Sequence, residues 1–166
     1  MATADKILLG QGVFSIGVTP IALTRGGGSF TVEREIRDIV ADGDYGPVKG
    51  RQVVDREVAK LTVNALDMFT PADMEKYFAG TDATTTTSTI WKGTLVIASG
   101  DYNDITWVGK TKDGKAVTIT IEDALNRENI EWSLEDKNEV VPTITFTAHY
   151  DETTRTTPPW SVLFAA

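Results

Sequence analysis

The run Phe30-Thr31-Val32-Glu33-Arg34-Glu35-Ile36-Arg37-Asp38-Ile39-Val40, its return from Arg51 to Val63 and the loop between them decide the fold. The first limb alternates with period two: Val32, Ile36 and Val40 share one face, and Glu33, Glu35 and Arg37 share the other. The return limb is mixed. Strict alternation puts Val54 and Val58 with Arg56 and Lys60, and Val53, Ala59 and Leu61 with Asp55 and Glu57. An ordinary antiparallel strand turns one face to a core and the other to water. A hairpin with charge and apolar surface on both faces calls for a neighbour. The connecting loop, Ala41-Asp42-Gly43-Asp44-Tyr45-Gly46-Pro47-Val48-Lys49-Gly50, is too long for a tight turn and too glycine-rich for a helix. Loops of this length inside a compact domain are functional or disordered, and the functional reading is taken here.

Composition narrows the class around this hairpin. The 166 residues are 41% hydrophobic and 24% charged, enough to bury one core, and no break in composition divides them. One domain is expected over 1–166, with an amino-terminal arm over about 1–12 and a carboxyl-terminal arm over about 151–166. With no cysteine, disulfides, thiolate metal sites and cysteine nucleophiles are excluded. Met1 to Lys6 lack the basic and apolar regions of a signal peptide, and no run approaches the ~18 apolar residues of a membrane span, so neither export through such a peptide nor membrane insertion is expected. The net charge of −8 makes the chain a poor candidate for gripping DNA, whose phosphates repel it. The same sign suits a wall past which DNA slides, and equally a protein that is merely kept soluble.

Along the chain, Val13–Thr19 and Ile21–Arg25 read as strand broken near Pro20, and Gly26-Gly27-Gly28 as a hairpin tip needing positive φ. One helix is expected over Phe69 to Phe78. Thr70 is its N-cap, Pro71 its first residue, Asp73 its capping acid and Gly80 its stop. Met74, Tyr77 and Phe78 form its apolar stripe. The threonine-rich run from Asp82 to Thr89 reads as a loop entering a strand over Thr89–Ser99. Further strands are expected over Ile105–Lys110, Val117–Ile121, Ile130–Leu134 and Val140–Tyr150, with a turn at Lys112-Asp113-Gly114-Lys115 and a helical turn over Asp123–Asn129. In the last strand Ile144, Phe146, Ala148 and Tyr150 alternate with Thr143, Thr145, Thr147 and His149, giving a core face and a threonine ladder. The apolar ending Trp160-Ser161-Val162-Leu163-Phe164 is expected to dock, on its own domain or on a neighbour. The sum is a mainly β (α+β) domain, a β-sandwich or half-barrel with one packed α-helix and a long inner hairpin.

No catalytic constellation survives inspection. Gly109-Lys110-Thr111 lacks the glycine five residues earlier that a phosphate loop needs, because Asp104 stands there. Asp42-Gly43-Asp44 begins like a calcium loop but has Gly46 and Val53 where oxygen donors belong. His149 is the only histidine, so no histidine-rich metal site forms, and no Gly-x-Ser-x-Gly elbow supplies a nucleophile for it. Cofactors and metals are not expected.

Three runs in order, Arg25-Gly26-Gly27-Gly28-Ser29-Phe30, then Asp42-Gly43-Asp44-Tyr45-Gly46-Pro47-Val48-Lys49-Gly50, then Glu57-Val58-Ala59-Lys60-Leu61-Thr62, resemble the major tail tube proteins of long-tailed bacteriophages. The resemblance runs through the helix at Phe69 to Phe78 and, more loosely, to Ala148-His149-Tyr150-Asp151 and Pro158-Pro159-Trp160. It implies a structural virion protein, assembled in the host cytoplasm, whose rings of six copies join their inner hairpins into one β-barrel and stack into the tail tube. Double-stranded DNA would pass through without tight binding, a tape measure protein would occupy the lumen during assembly, and capping proteins would close the ends. The candidates for the lumen wall are Glu33, Glu35, Asp55 and Glu57; those for contact between rings are Asp42, Asp44, Tyr45, Pro47 and Lys49, with the apolar termini. The rival of another class is a monomeric carbohydrate-binding module stacking sugar on Trp91, Trp107, Trp132 or Trp160, followed by a hydrolase using an acidic pair.

Overall fold

The computed structural model describes residues 7–21, 23–67 and 69–165. Its strands are β1 (Leu8–Ile16), β2 (Thr19–Pro20), β3 (Thr24–Asp38), β4 (Gln52–Ala65), β5 (Thr81–Thr85), β6 (Thr89–Gly93), β7 (Asn103–Thr111), β8 (Ala116–Asn126), β9 (Thr143–Thr147) and β10 (Trp160–Phe164), with helix α1 (Pro71–Tyr77) after β4. The fold is mainly β, with one large antiparallel sheet curled towards a sandwich. Its strands run β2-β1-β7-β8-β9-β4-β3, β10 lies on β8, and β5 and β6 pair separately.

The curl is made by β8. Residues Val117 to Ile121 have β7 on one side and β10 on the other, whereas Leu125 and Asn126 pair with Thr147 and Phe146 of β9. Between them Asp123 takes a left-handed φ of 47° and donates its backbone N–H to Asp104 Oδ1 at 3.1 Å. Asp tolerates this conformation better than a branched residue would, so the strand turns a corner and serves both layers. The helical turn expected over Asp123–Asn129 is thereby replaced by strand that continues to Asn126, followed by irregular chain. Between the layers lie Phe14, Ile105, Trp107 and Ile121 from one side and Leu61, Val63, Ile144 and Phe146 from the other, all buried.

Helix α1 forms as its sequence dictates. Thr70 Oγ1 accepts from the Asp73 backbone N–H, Pro71 opens the helix, and Gly80 at φ 71° ends the segment. Tyr77 and Phe78 are buried, with Met74 half-buried beside them. The turn at Lys112 to Lys115 is present, closed by Gly114 N–H donating to Thr111 O at 2.9 Å.

Several expectations fail for reasons of tertiary pairing. Gly26 and Gly27 do have positive φ, 80° and 72°, but they sit inside β3 at a register shift between Thr24 and Gly28 rather than at a hairpin tip. Positive φ serves a bulge as well as a turn. The threonine run forms β5, its turn and the start of β6; the strand expected to reach Ser99 stops at Gly93. Ile130–Leu134 is irregular, and only Thr143–Thr147 of the expected Val140–Tyr150 strand is ladder-paired. The threonine ladder of β9 is not all exposed: Thr147 is buried, while Thr145 and Thr143 bond Thr62 Oγ1 and Asn64 Oδ1 of β4 at 3.1 and 2.7 Å.

Candidate functional site: the protruding hairpin

β3 and β4 pair from Thr24–Ala65 to Asp38–Gln52, and only their inner half belongs to the body of the domain. β9 covers β4 along Lys60–Asn64, and there Ala59, Leu61, Val63 and Ala65 point into the core. Among the described residues no strand flanks β4 beyond Val58, and none pairs with β3 on its outer side. Within β3 only Phe30 and Val32 are half-buried; the other residues are exposed, as is β4 from Gln52 to Arg56. The outer half of the hairpin is a two-stranded ribbon with both faces and both edges open.

A bulge explains the mixed pattern of the return limb. Glu35 opposes Arg56 and Ile36 opposes Val54, leaving Asp55 as the extra residue. Inward of the bulge, Glu57 continues the parity of buried Leu61 and Ala59 and so lies on the core side. Outward of it the parity reverses. Val54 joins Ile36, both about half exposed, while Asp55 joins Arg37 on the face of Glu33 and Glu35. Of the four carboxylates expected on the lumen wall, the structure therefore gathers Glu33, Glu35 and Asp55 and separates Glu57. The grouping of Asp55 with Glu57 by alternation is corrected by the bulge.

Charge on the gathered face is balanced. Lys60 Nζ lies 2.9 Å from Glu33 Oε1, and Arg37 Nε lies 2.8 Å from Asp55 Oδ2. The Arg37 guanidinium, by hydrogen bond and then by charge, holds the Asp55 carboxyl below its ordinary range. Arg56 stands opposite Glu35 without an ion pair. Three carboxylates and three cations, Arg37, Arg56 and Lys60, thus share one face, so the net charge of −8 is not concentrated there.

Glu57 has a different role. Its side chain is 13% exposed; Oε2 accepts from Arg34 Nε at 3.0 Å and Oε1 from Trp160 Nε1 at 2.6 Å. Tyr150 donates its hydroxyl to the Glu57 backbone carbonyl at 3.1 Å. One carboxylate ties β3 and β10 to β4 at the point where the hairpin leaves the body.

The loop at the tip is ordered by its own residues. Asp44 Oδ2 accepts from the Ala41 backbone N–H at 2.8 Å and from Arg51 Nη1 at 2.7 Å, while Val48 O accepts from Arg51 N–H and Gln52 Nε2. Asp44 is therefore turned inward. Asp42, Tyr45, Pro47 and Lys49 are exposed, Tyr45 completely so.

The carboxyl-terminal segment docks on its own domain: Trp160–Phe164 pair with Ile121–Val117 of β8, leaving Leu163 and Phe164 exposed. At the amino end, residues 1–6 of the expected arm lie outside the described residues, and Leu8 onward is strand paired with β7. None of the four tryptophans is exposed. Trp107 is in the core, Trp91 and Trp132 stack on one another at 5.7 Å, and Trp160 packs on Phe30. His149 Nδ1 lies 3.0 Å from the Asp123 backbone oxygen. Among the described residues no cluster of three metal-ligating side chains occurs, and no helix is long and apolar enough to cross a membrane.

One feature had no signal in the sequence. Where the chain after β9 diverges from β4, an open cleft of about 760 Å³ exposes the edge of Val54–Val58, with Arg56, Arg127, Arg155 and His149 among its lining. The three arginines come from distant positions, so no local pattern collects them. Comparison with protein-family models and with curated proteins finds no match to this chain.

Proposed function

We propose that this chain is a self-assembling tube subunit, a structural protein of the kind its sequence resembles, the major tail tube protein of a long-tailed phage. The observation that carries the reading is the outer half of the β3–β4 hairpin. A 15-residue edge strand with unpaired backbone groups is a template for association, and a protein that stays monomeric blunts such edges. Here the edge is long, and Ile36 and Val54 lie exposed across from one another on one face. Joining the hairpins of successive copies edge to edge into a closed barrel satisfies both edges at once. It also gives the Ile36–Val54 face a partner, each of these half-exposed side chains gaining roughly half of the ~1.5–3 kcal/mol that burial of a fully exposed one supplies.

In this arrangement the face of Glu33, Glu35 and Asp55 lines the channel. Its balanced charge makes the wall nearly neutral toward phosphate, so DNA is passed by the absence of attraction rather than by a strongly repelling acidic surface. The ordered loop with Tyr45, Pro47, Asp42 and Lys49 projects along the tube axis to meet the next ring, with Asp44 holding its shape. A tape measure protein in the lumen, proteins at the tube ends, passage of double-stranded DNA and a place in the virion tail all belong to this reading.

Negative-stain electron microscopy of the purified chain over a concentration series, with tail-tip seeds supplied, tests it. Rings or tubes with a hole of roughly 20 Å or more, wide enough for a duplex, are expected. Deleting Asp42–Val48 should leave a folded subunit that no longer stacks. A chain that stays single under all conditions refutes the tube, and normal tubes from the deletion variant refute the loop assignment.

A further inference from the structure

We infer that the seam between β1 and β3 is a binding site for a small neutral aromatic molecule carrying a hydrogen-bond acceptor, its ring held among Phe14, Phe30 and Trp107 and its acceptor on the Trp107 indole N–H. The inference goes beyond the tube reading and does not rest on it, because the seam lies at the inner end of β3 and not on the protruding ribbon.

The seam is where the curled sheet fails to close. On its free side β1 meets only β2, at Ser15 and Ile16, and β3 is the last strand at the other end of the sheet. Among the described residues no ladder joins β1 to β3, and a cavity of about 200 Å³ lies between them. Both strands bulge here by the same amount. Leu8 opposes Thr111 and Gly12 opposes Gly109, so four steps along β1 match two along β7. Thr24 opposes Ala65 and Gly28 opposes Val63, so four steps along β3 match two along β4. A bulge bends its strand and interrupts its pairing. The cavity opens between the two.

Glycine leaves the space unfilled. Gly10, Gly12, Gly27 and Gly28 line the cavity, and none brings a side chain into it. A Cβ at Gly12 would lie 2.4 Å from Trp107 Cε2, and one at Gly28 would lie 2.7 Å from the Phe14 ring, so both rings rest against bare backbone. Phe14, Leu61 and Trp107 are buried, and Phe30 and Ile119 are half-buried beside them, which makes the wall carbon. A cavity of about 150 Å³ lined in this way holds benzene. Three of the lining side chains are aromatic, and rings pack on rings through offset faces and edges. No charged side chain lines the cavity, so a charged ligand would be stripped of water with no partner to replace it.

Trp107 supplies the one buried polar group. It is 7% exposed, and among the described residues its indole N–H makes no hydrogen bond. Nε1 lies 2.5 Å from the place a Gly12 Cβ would take, and both residues line the cavity, so the N–H meets the cavity at its glycine rim. The unpartnered indole nitrogens of Trp91 and Trp132 are instead sealed beside their stack. Thr24 and Ser29 also line the cavity but are exposed, and water already serves their hydroxyls. A buried donor without an acceptor is destabilising until an oxygen or nitrogen reaches it. An apolar slot with one placed polar group is the usual form of a small-molecule site.

Saturation-transfer NMR on the full chain tests the inference, and it reads binding to dissociated and assembled protein alike. Three probes of nearly equal size are titrated: acetophenone with a carbonyl acceptor, ethylbenzene with none, and benzoate with a charge. Acetophenone should bind saturably with a Kd of about 1 mM or below. Ethylbenzene should compete with it, and benzoate should not. Trp107→Phe keeps a ring and removes the donor, so it should weaken acetophenone relative to ethylbenzene by about three- to tenfold. Loss of packing alone would weaken both probes and leave that ratio unchanged. Ile119→Phe enlarges a side chain on the wall and should weaken the two probes together. A thermal melt checks each fold, and the wild-type comparison of the three probes stands even where a variant does not fold. No saturable acetophenone binding, benzoate competing as well as ethylbenzene, or an unchanged preference in Trp107→Phe overturns the inference; none of these bears on the tube, which electron microscopy decides.

Discussion

Replacing Glu57 separates two readings of the same carboxylate. If Glu57 were a solvated charge on a channel wall, its removal would change stability by no more than about 0.5 kcal/mol, as for an ordinary surface site. In the structure it accepts from Trp160 Nε1 and Arg34 Nε at a side chain only 13% exposed. Arg34 is about half exposed, so that pair contributes no more than about 1 kcal/mol after solvent screening. The indole N–H of half-buried Trp160 would lose its acceptor, which costs about 1–3 kcal/mol. Glu57→Ala should therefore destabilise the fold by about 1–4 kcal/mol, with Glu57→Gln losing roughly half as much. Urea unfolding followed by tryptophan fluorescence measures the difference, and hydrogen exchange of Trp160 to Phe164 reports whether β10 loosens first. Glu35→Gln, at an exposed site without an ion pair, serves as the control and should be silent in the monomer. A Glu57→Ala variant as stable as that control would refute the account of Glu57 as the tie between the hairpin and β10.

The bulge in β3 makes a second prediction. A Cβ at Gly28 would lie 2.0 Å from Thr62 O and 2.7 Å from the Phe14 ring, so Gly28→Ala must displace backbone and lose about 3 kcal/mol or more, read by chemical unfolding. Gly27→Ala meets no atom but carries a φ of 72°, and should cost about 1 kcal/mol from backbone strain alone. The third concerns pH. Burial, then the nearby charges of Asp73 and Asp67, push the Tyr77 phenol up to about 12 from an ordinary 10. The folded state then holds the proton more tightly than the unfolded one, so this contribution is complete below pH 10 and is lost as pH rises from 10 to 12. Relative to Tyr77→Phe, the wild type should lose stability across that interval and nowhere below it; parallel curves would show that Tyr77 titrates as if exposed.

Elements set by near neighbours were legible. Thr70, Pro71, Asp73 and Gly80 determine α1 because a helix end is capped within one turn, and Asp113-Gly114 determines its turn because the required φ belongs to Gly114 itself. The alternation of Ile144, Phe146 and Ala148 identified a buried face, since a strand's two faces are fixed by its own pleat. The position of Asp55 was not legible. Its bulge arises in the pairing with Glu35 and Ile36, a partner strand some twenty residues away, and one unpaired residue reverses the face of everything beyond it. For the same reason Gly26 and Gly27 read as a turn and became a bulge.

By itself, the sequence determined a mainly β domain with one capped helix and a long, charged hairpin. Tertiary structure alone decided that Glu57 is a tie and Asp55 a surface charge, that β10 closes on its own domain, and that Arg56, Arg127 and Arg155 meet in one cleft. Local propensity acts through a residue's own dihedrals and its neighbours a turn away, whereas register, bulges and clefts are set by which distant strands lie side by side.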